Sequence, residues 1–121
     1  SNLVLGLNRA VLAEGLAFAE ALGVSPAAAL EVMAGSNAYS KAMDVKGRKM
    51  VERDFAAQAR LSQHLKDIRL ILDAAAAAGM ALPLTETHRR LMEQAEAAGW
   101  GEQDNCAIIE VLRKPGSRST S

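Results

Sequence analysis

Aromatic side chains make up only 3% of this 121-residue sequence, and cysteine occurs once, at Cys106. The shortage of rings excludes a core built on aromatic stacking, so a core must come from Ala, Leu, Val, Ile and Met. Apolar residues are half of the chain, and that aliphatic mix favours closely packed helices over a β-sandwich. A single cysteine excludes an internal disulfide and a cysteine-based zinc cluster. It fits a reducing compartment, and the cytoplasm is the expected location. An excess of charge of one sign is also lacking, since 14 Lys and Arg balance 14 Asp and Glu. Without a basic surplus, neither nucleic acid nor an acidic membrane is an expected partner.

Long uninterrupted apolar runs are missing too. The stretch from Leu3 to Leu22 has the length of a membrane span, but Arg9, Glu14 and Glu20 interrupt it and make insertion costly. The chain is long enough to bury its own core as one domain, expected over residues 1–114. No initiator Met is present, and the sequence enters LVLGL at once, as if cut from a longer chain. Ser1-Asn2 reads either as native sequence or as a cloning remnant. The polar stretch PGSRSTS, residues 115–121, breaks any helix and is expected to be disordered.

What is present is helical punctuation. The pattern predicts an all-α fold of about six helices packed around a long N-terminal one. Residues 2–22 form the first, with apolar positions nearly all the way round, which implies burial on every side. At 1.5 Å per residue it runs about 30 Å, hard for so short a chain to cover alone. A core helix, or one that also packs on a second domain or subunit, both fit. Gly23 ends it, and Ser25-Pro26 opens a second helix reaching about Ala34. A short helix is expected near Tyr39–Val45, followed by a loop with a partial turn over 46–58. The fourth helix, LSQHLKDIRLILDAAAAAG, runs over 61–79; Pro83 opens a fifth, over 82–99; Asp104 caps a last one, over 105–114.

One position in the fourth helix stands apart. With Leu61 at zero and about 100° per residue, Leu65, Ile68 and Leu72 share the core face, whereas Lys66 and Leu70 lie nearly opposite. A lysine beside an outward leucine is consistent with a solvated face, and equally with a side that something else covers. Asp67 is poorly placed to pair with Lys66. Other constellations do not compete. His64 and His88 are on different helices without acidic neighbours at ligand spacing, so no metal site is expected. His64 flanks the core as a structural histidine, and His88, in THRR, is expected at the surface. Cys106 adjoins an apolar run and reads as packed. Gly99-Trp100-Gly101 lies between helices and is a turn rather than a dinucleotide loop.

The order of the motifs adds a further reading. NLVLGLNRAVLAEGLAFAEALGV, MVERDF, HLKDIRLIL, LPLT and AGWGEQDNCAII, taken together over residues 1 to about 113, resemble the C-terminal helical domain of the β-hydroxyacid dehydrogenases. That family includes 3-hydroxyisobutyrate dehydrogenase, tartronate semialdehyde reductase and glyoxylate/succinic semialdehyde reductases, with 6-phosphogluconate dehydrogenase as a distant relative. The resemblance implies a preceding Rossmann domain that binds most of an NAD or NADP cofactor, and a helical domain that completes the active site and makes a homodimer. It implies a catalytic lysine four positions before the Asn that Asn2 matches, a lysine this sequence does not contain. Asn2 would orient the substrate, a short β-hydroxy acid or its semialdehyde. Lys66 and Asp67 match the family's K-D pair, at the nicotinamide end of the cofactor. Many relatives carry a pocket-lining aromatic where this chain has Ala59. Without the missing portion the chain is expected to be inactive alone. The competing reading is a helical interaction module with no catalytic parent, in which Lys66 is merely solvated.

Overall fold

Ser25 and Pro26 between two aliphatic runs, and glycines at the ends of others, set where the helices begin and stop. The computed structural model describes residues 1–115, and no strand occurs among them. Six α-helices follow in order: α1 (Asn2–Ala21), α2 (Pro26–Ala34), α3 (Arg48–Glu52), α4 (Leu61–Ala77), α5 (Pro83–Ala95) and α6 (Ile109–Leu112). The Ser25 hydroxyl accepts from the Ala28 N–H at 3.3 Å, which satisfies one of the free donors of the first turn of α2. Gly23 and Gly79, which follow α1 and α4, take φ values of +81° and +74°, where a side chain would be strained.

The core is aliphatic, as the scarcity of rings requires. Leu12 and Leu16 of α1, Leu61, Leu65 and Ile68 of α4, Met92 of α5 and Ile108 and Ile109 near the C-terminus are all buried. On α4 the buried positions match the face expected from periodicity. Arg113 closes the end of the fold: its guanidinium donates to Glu20 at the end of α1 and to the Met50 carbonyl, pairing with Glu20 at 3.0 Å.

Four expected element bounds change. Of the segment expected as a loop with a partial turn, 46–58, the first part is helical to Glu52 and only 53–58 are loop. A π-helical turn, Met43–Gly47, runs directly into α3, so residues 41–52 form one continuous helical stretch, and the short helix near Tyr39–Val45 shifts along the chain accordingly. Burial explains the difference: Met43, Lys46, Met50 and Val51 point inward, and the π turn brings Lys46 onto that side. The last helix is shorter than 105–114, being a 3-10 turn over Asn105–Ile108 followed by α6. The fifth ends at Ala95 and passes into a second π-helical turn, Glu96–Trp100. The tail 116–121 lies outside the described residues.

The first helix is not buried on every side within this chain. Val4, Val11 and Leu22 are exposed, and Phe18 is 64% exposed. By length and composition α1 is apolar enough to cross a membrane, with a mean hydropathy of 1.2. Its other face, carrying Arg9, Leu12, Ala13 and Leu16, is packed into the bundle. Leu70 on α4 is likewise 60% exposed, so among the described residues nothing covers the side of α4 that carries Lys66.

Candidate functional site

The N-terminal half of α1 meets α4 and α5 at a glycine. A Cβ on Gly6 would stand 2.7 Å from His64 Nε2 and 3.1 Å from His88 Cε1, so only glycine allows this approach. The two imidazoles face each other at 5.4 Å between ring centroids. Arg9, one turn beyond Gly6, donates through Nη1 to His64 Nε2 at 3.1 Å. His64 therefore accepts at Nε2 and carries its proton on Nδ1. Burial, then the nearby Arg9 charge, lowers the His64 pKa to about 3; the same two causes bring His88 to about 4. Both rings are neutral at ordinary pH. His88 is 4% exposed rather than at the surface, because it falls on the inward stripe of α5 with Thr85, Met92 and Ala95.

The approach to α4 is stitched to the turn before the 3-10 segment. Arg60 and Asp104 form a single antiparallel bridge, the Leu61 N–H donates to the Gln103 carbonyl, and the Asn105 N–H donates to Ala59 at 2.8 Å. Asp104 is the knot. Its carboxylate caps the 3-10 turn through the Cys106 N–H and accepts from the backbone N–H groups of Gln58 and Ala59. It also holds Lys46 Nζ at 2.8 Å, with both groups buried. Burial alone would raise the Asp104 pKa, but Lys46 and the N–H donors outweigh it and hold the carboxyl far below its usual range. Cys106, fully buried, has its thiol pushed up to about 12, first by burial and then by Asp104, which fits a packed thiol and not a nucleophile.

Between α1, this stitched segment and α4 lies a cavity of about 260 Å³. Asn2 and Asp67, expected on the same site, both line it, together with Ala59. Arg9, Asn105 and Gln63 add polar groups to its wall, and Arg60 lines it while pairing with Glu102 at 3.0 Å. Lys66 does not line the cavity. It is exposed on the adjoining side of α4, one turn from Gln63, and makes no hydrogen bond or ion pair with the described residues. No cluster of metal-ligating residues occurs among the described residues.

Sequence reasoning missed Arg9, Asn105 and the buried His88 as members of this region. One signal was available for Arg9: a lone cation in an otherwise apolar helix must either snorkel outward or find buried acceptors. Nothing in the spacing of Asn105 distinguished it from any capping-turn residue.

Comparison with known proteins identifies the family. Residues 1–112 match the family described as NAD-binding of NADP-dependent 3-hydroxyisobutyrate dehydrogenase. The chain is 34% identical to 2-(hydroxymethyl)glutarate dehydrogenase of Eubacterium barkeri, covering 100% of this chain and 40% of that protein. It is 30% identical to 2-hydroxy-3-oxopropionate reductase of Escherichia coli, covering 93% of this chain and 38% of the relative. Among solved structures, 3-hydroxyisobutyrate dehydrogenase from Salmonella typhimurium superposes with a TM-score of 0.88 at 26% identity, over 91% of this chain and 39% of that one. The chain thus spans about two-fifths of the length of these relatives. It belongs to the 3-hydroxyisobutyrate dehydrogenase-like family of β-hydroxyacid dehydrogenases, whose cofactor is NAD or NADP.

Proposed function

We propose that this chain is the C-terminal helical domain of an NAD(P)-dependent oxidoreductase that interconverts a short β-hydroxy acid and its semialdehyde. The observation that carries this reading is the cavity shared by Asn2, Asp67 and Ala59, three positions that the family resemblance assigns to the substrate and cofactor end. The compounds for which the relatives are named point the same way, since 3-hydroxyisobutyrate, 2-(hydroxymethyl)glutarate and 2-hydroxy-3-oxopropionate are all acids with a reactive carbon next to the one bearing the carboxylate.

At about 260 Å³ the cavity suits a small acid and is too small for a dinucleotide, which must then be held largely by another part of the parent chain. Lys66 and Asp67 would flank its nicotinamide end, where an unpaired, exposed ammonium is suited to an anionic group. When bound, the cofactor supplies hydride acceptance or donation. Asn2 orients the substrate by hydrogen bonding, and the lysine implied four positions before it moves the proton on the reacting oxygen. The uncovered apolar strip of α1, with Val4, Val11 and Phe18, would be closed by the partner domain and a second copy of the chain. A cytoplasmic location is part of the same proposal.

In the full-length parent, Lys66→Ala is expected to lower kcat/KM by about tenfold or more, the scale for losing a charge-assisted contact to a bound ligand. Unchanged turnover would favour the interaction-module reading, in which Lys66 is only solvated. Sedimentation velocity on the same preparation should find a dimer, and a monomer at tens of micromolar would leave the exposed strip of α1 without its proposed cover.

A further inference from the structure

We propose that Arg9 and Asn105 recognise a small carboxylate ligand that also carries a hydroxyl, the Arg9 guanidinium taking the carboxylate and the Asn105 side-chain carbonyl taking the hydroxyl. This rests on the substrate class proposed above and deepens it by naming residues outside the Asn2, Lys66 and Asp67 set.

Arg9 is 6% exposed, and no carboxylate pairs with it among the described residues. One nitrogen, Nη1, is committed to neutral His64, and Nε has no partner at all. Asn105 is 3% exposed, and its Oδ1 is also buried without a donor. These two are the unpartnered buried side-chain atoms among the described residues, and both belong to residues lining the one cavity with Asn2 and Asp67. An orphaned cationic donor and an orphaned acceptor in one wall are costly unless something completes them. The ligand that completes both at once presents an anionic acceptor and a neutral donor, which is the pattern of a hydroxy acid.

The surrounding charges favour the same occupant. Asp104, the nearby carboxylate that faces Arg9 from the stitched turn, is already engaged by Lys46 and three backbone N–H groups. His64 and His88 pack beside Arg9 as neutral rings, so they neither satisfy nor repel an anion. In the cavity wall itself Arg9 and Arg60 stand against the single carboxylate of Asp67. A planar guanidinium with one nitrogen already fixed offers its remaining edge to a carboxylate in fork geometry, and inorganic phosphate, which can take the same fork, is the competing anion to be tested. Because the orphaned atoms are closed to solvent, the ligand enters by a small movement of the Asn105 and Arg9 side chains.

The test is a titration of the isotopically labelled 121-residue chain, followed by NMR at the Arg9 Nε–H and the Asn105 side-chain amide. The probes are 3-hydroxyisobutyrate, its neutral carboxamide analogue and inorganic phosphate. Saturable millimolar binding of the acid is expected, with the carboxamide weaker by about tenfold, the usual gap between a charge-assisted and a neutral contact. Arg9→Met should abolish the shifts. Should that variant fail to fold, Asn105→Leu keeps the arginine and is expected to weaken the acid by severalfold. The proposal is overturned if the carboxamide binds as well as the acid, if folded Arg9→Met or Asn105→Leu binds normally, or if no probe binds. Equal binding of phosphate also overturns it and assigns Arg9 to a cofactor phosphate instead. None of these readouts depends on hydride transfer, so an inactive parent enzyme and a failed titration are distinct results.

Discussion

Asp104→Ala is expected to destabilise the domain by about 3–5 kcal/mol, the cost of breaking a buried ion pair from one side. The carboxylate is completely buried and accepts five hydrogen bonds: two from Lys46 Nζ at 2.9 and 2.8 Å, and one each from the N–H groups of Gln58, Ala59 and Cys106. Alanine would leave Lys46 buried without a counter-charge and three backbone donors without an acceptor. A loss on that scale is a large part of the roughly 5–15 kcal/mol that holds a typical domain together. Urea unfolding measures it directly. Pairing the change with Lys46→Met should recover part of the loss, because the double variant no longer buries an unmatched charge. A loss below about 1 kcal/mol would mean that solvent reaches the pair and that the knot is not structural. The effect should also be local. Ala59 lines the cavity and is held by the same carboxylate, so amide exchange at Ala59 should quicken well before α1 or α5 is affected.

How far this site was legible in the sequence depends on the range of the interaction concerned. Local chemistry read well: Ser25-Pro26 opens α2, Gly23 follows α1, and the buried face of α4 is Leu61, Leu65 and Ile68, because each follows from neighbours within a turn or two. Asp104 was legible as a cap for the same reason. Its second role was not, since Lys46 lies 58 residues away and sits in a run of charged residues that resembles a solvated loop. His88 was hidden likewise. Its neighbours in THRR are charged, and only the spacing to Thr85, Met92 and Ala95 reveals an inward stripe that happens to begin with polar residues. Arg9 was read for what it prevents, a membrane span, and not for where its charge goes. The shared position of Asn2 and Asp67 came from family resemblance, as no periodicity relates the first turn of α1 to the second turn of α4. The sequence placed Lys66 on the far side of α4, and there it lies, beside the cavity and not in it.

The histidine pair makes the domain acid-labile, and the effect should rival that of Asp104→Ala. His64 and His88 titrate near 6.5 in an unfolded chain but are held at about 3 and about 4 when folded, by burial first and by Arg9 second, with His88 and then Lys46 adding to the shift of His64. Lowered folded-state values mean that acid favours the unfolded chain, which takes up protons the folded one refuses. The stabilisation is therefore complete above about pH 6.5 and is lost progressively as pH falls through about 4 for His88 and about 3 for His64. With two protons at stake, stability should drop by roughly 2–3 kcal/mol per pH unit between about pH 6 and pH 4. Asp104 extends the loss at lower pH, since its depressed carboxyl pKa also favours the unfolded state once protons become abundant. The groups packed around the pair cannot reverse the sign: Arg9 and Lys46 are cations, and Asp104 is committed to Lys46. Urea unfolding at a series of pH values gives the slope, and His88→Gln should reduce it by about half, because one proton is then removed from the linkage. A flat stability between pH 6.5 and 4.5, or imidazole resonances of the folded protein titrating near 6.5, would show that water reaches the rings and that α1 does not seal them at Gly6.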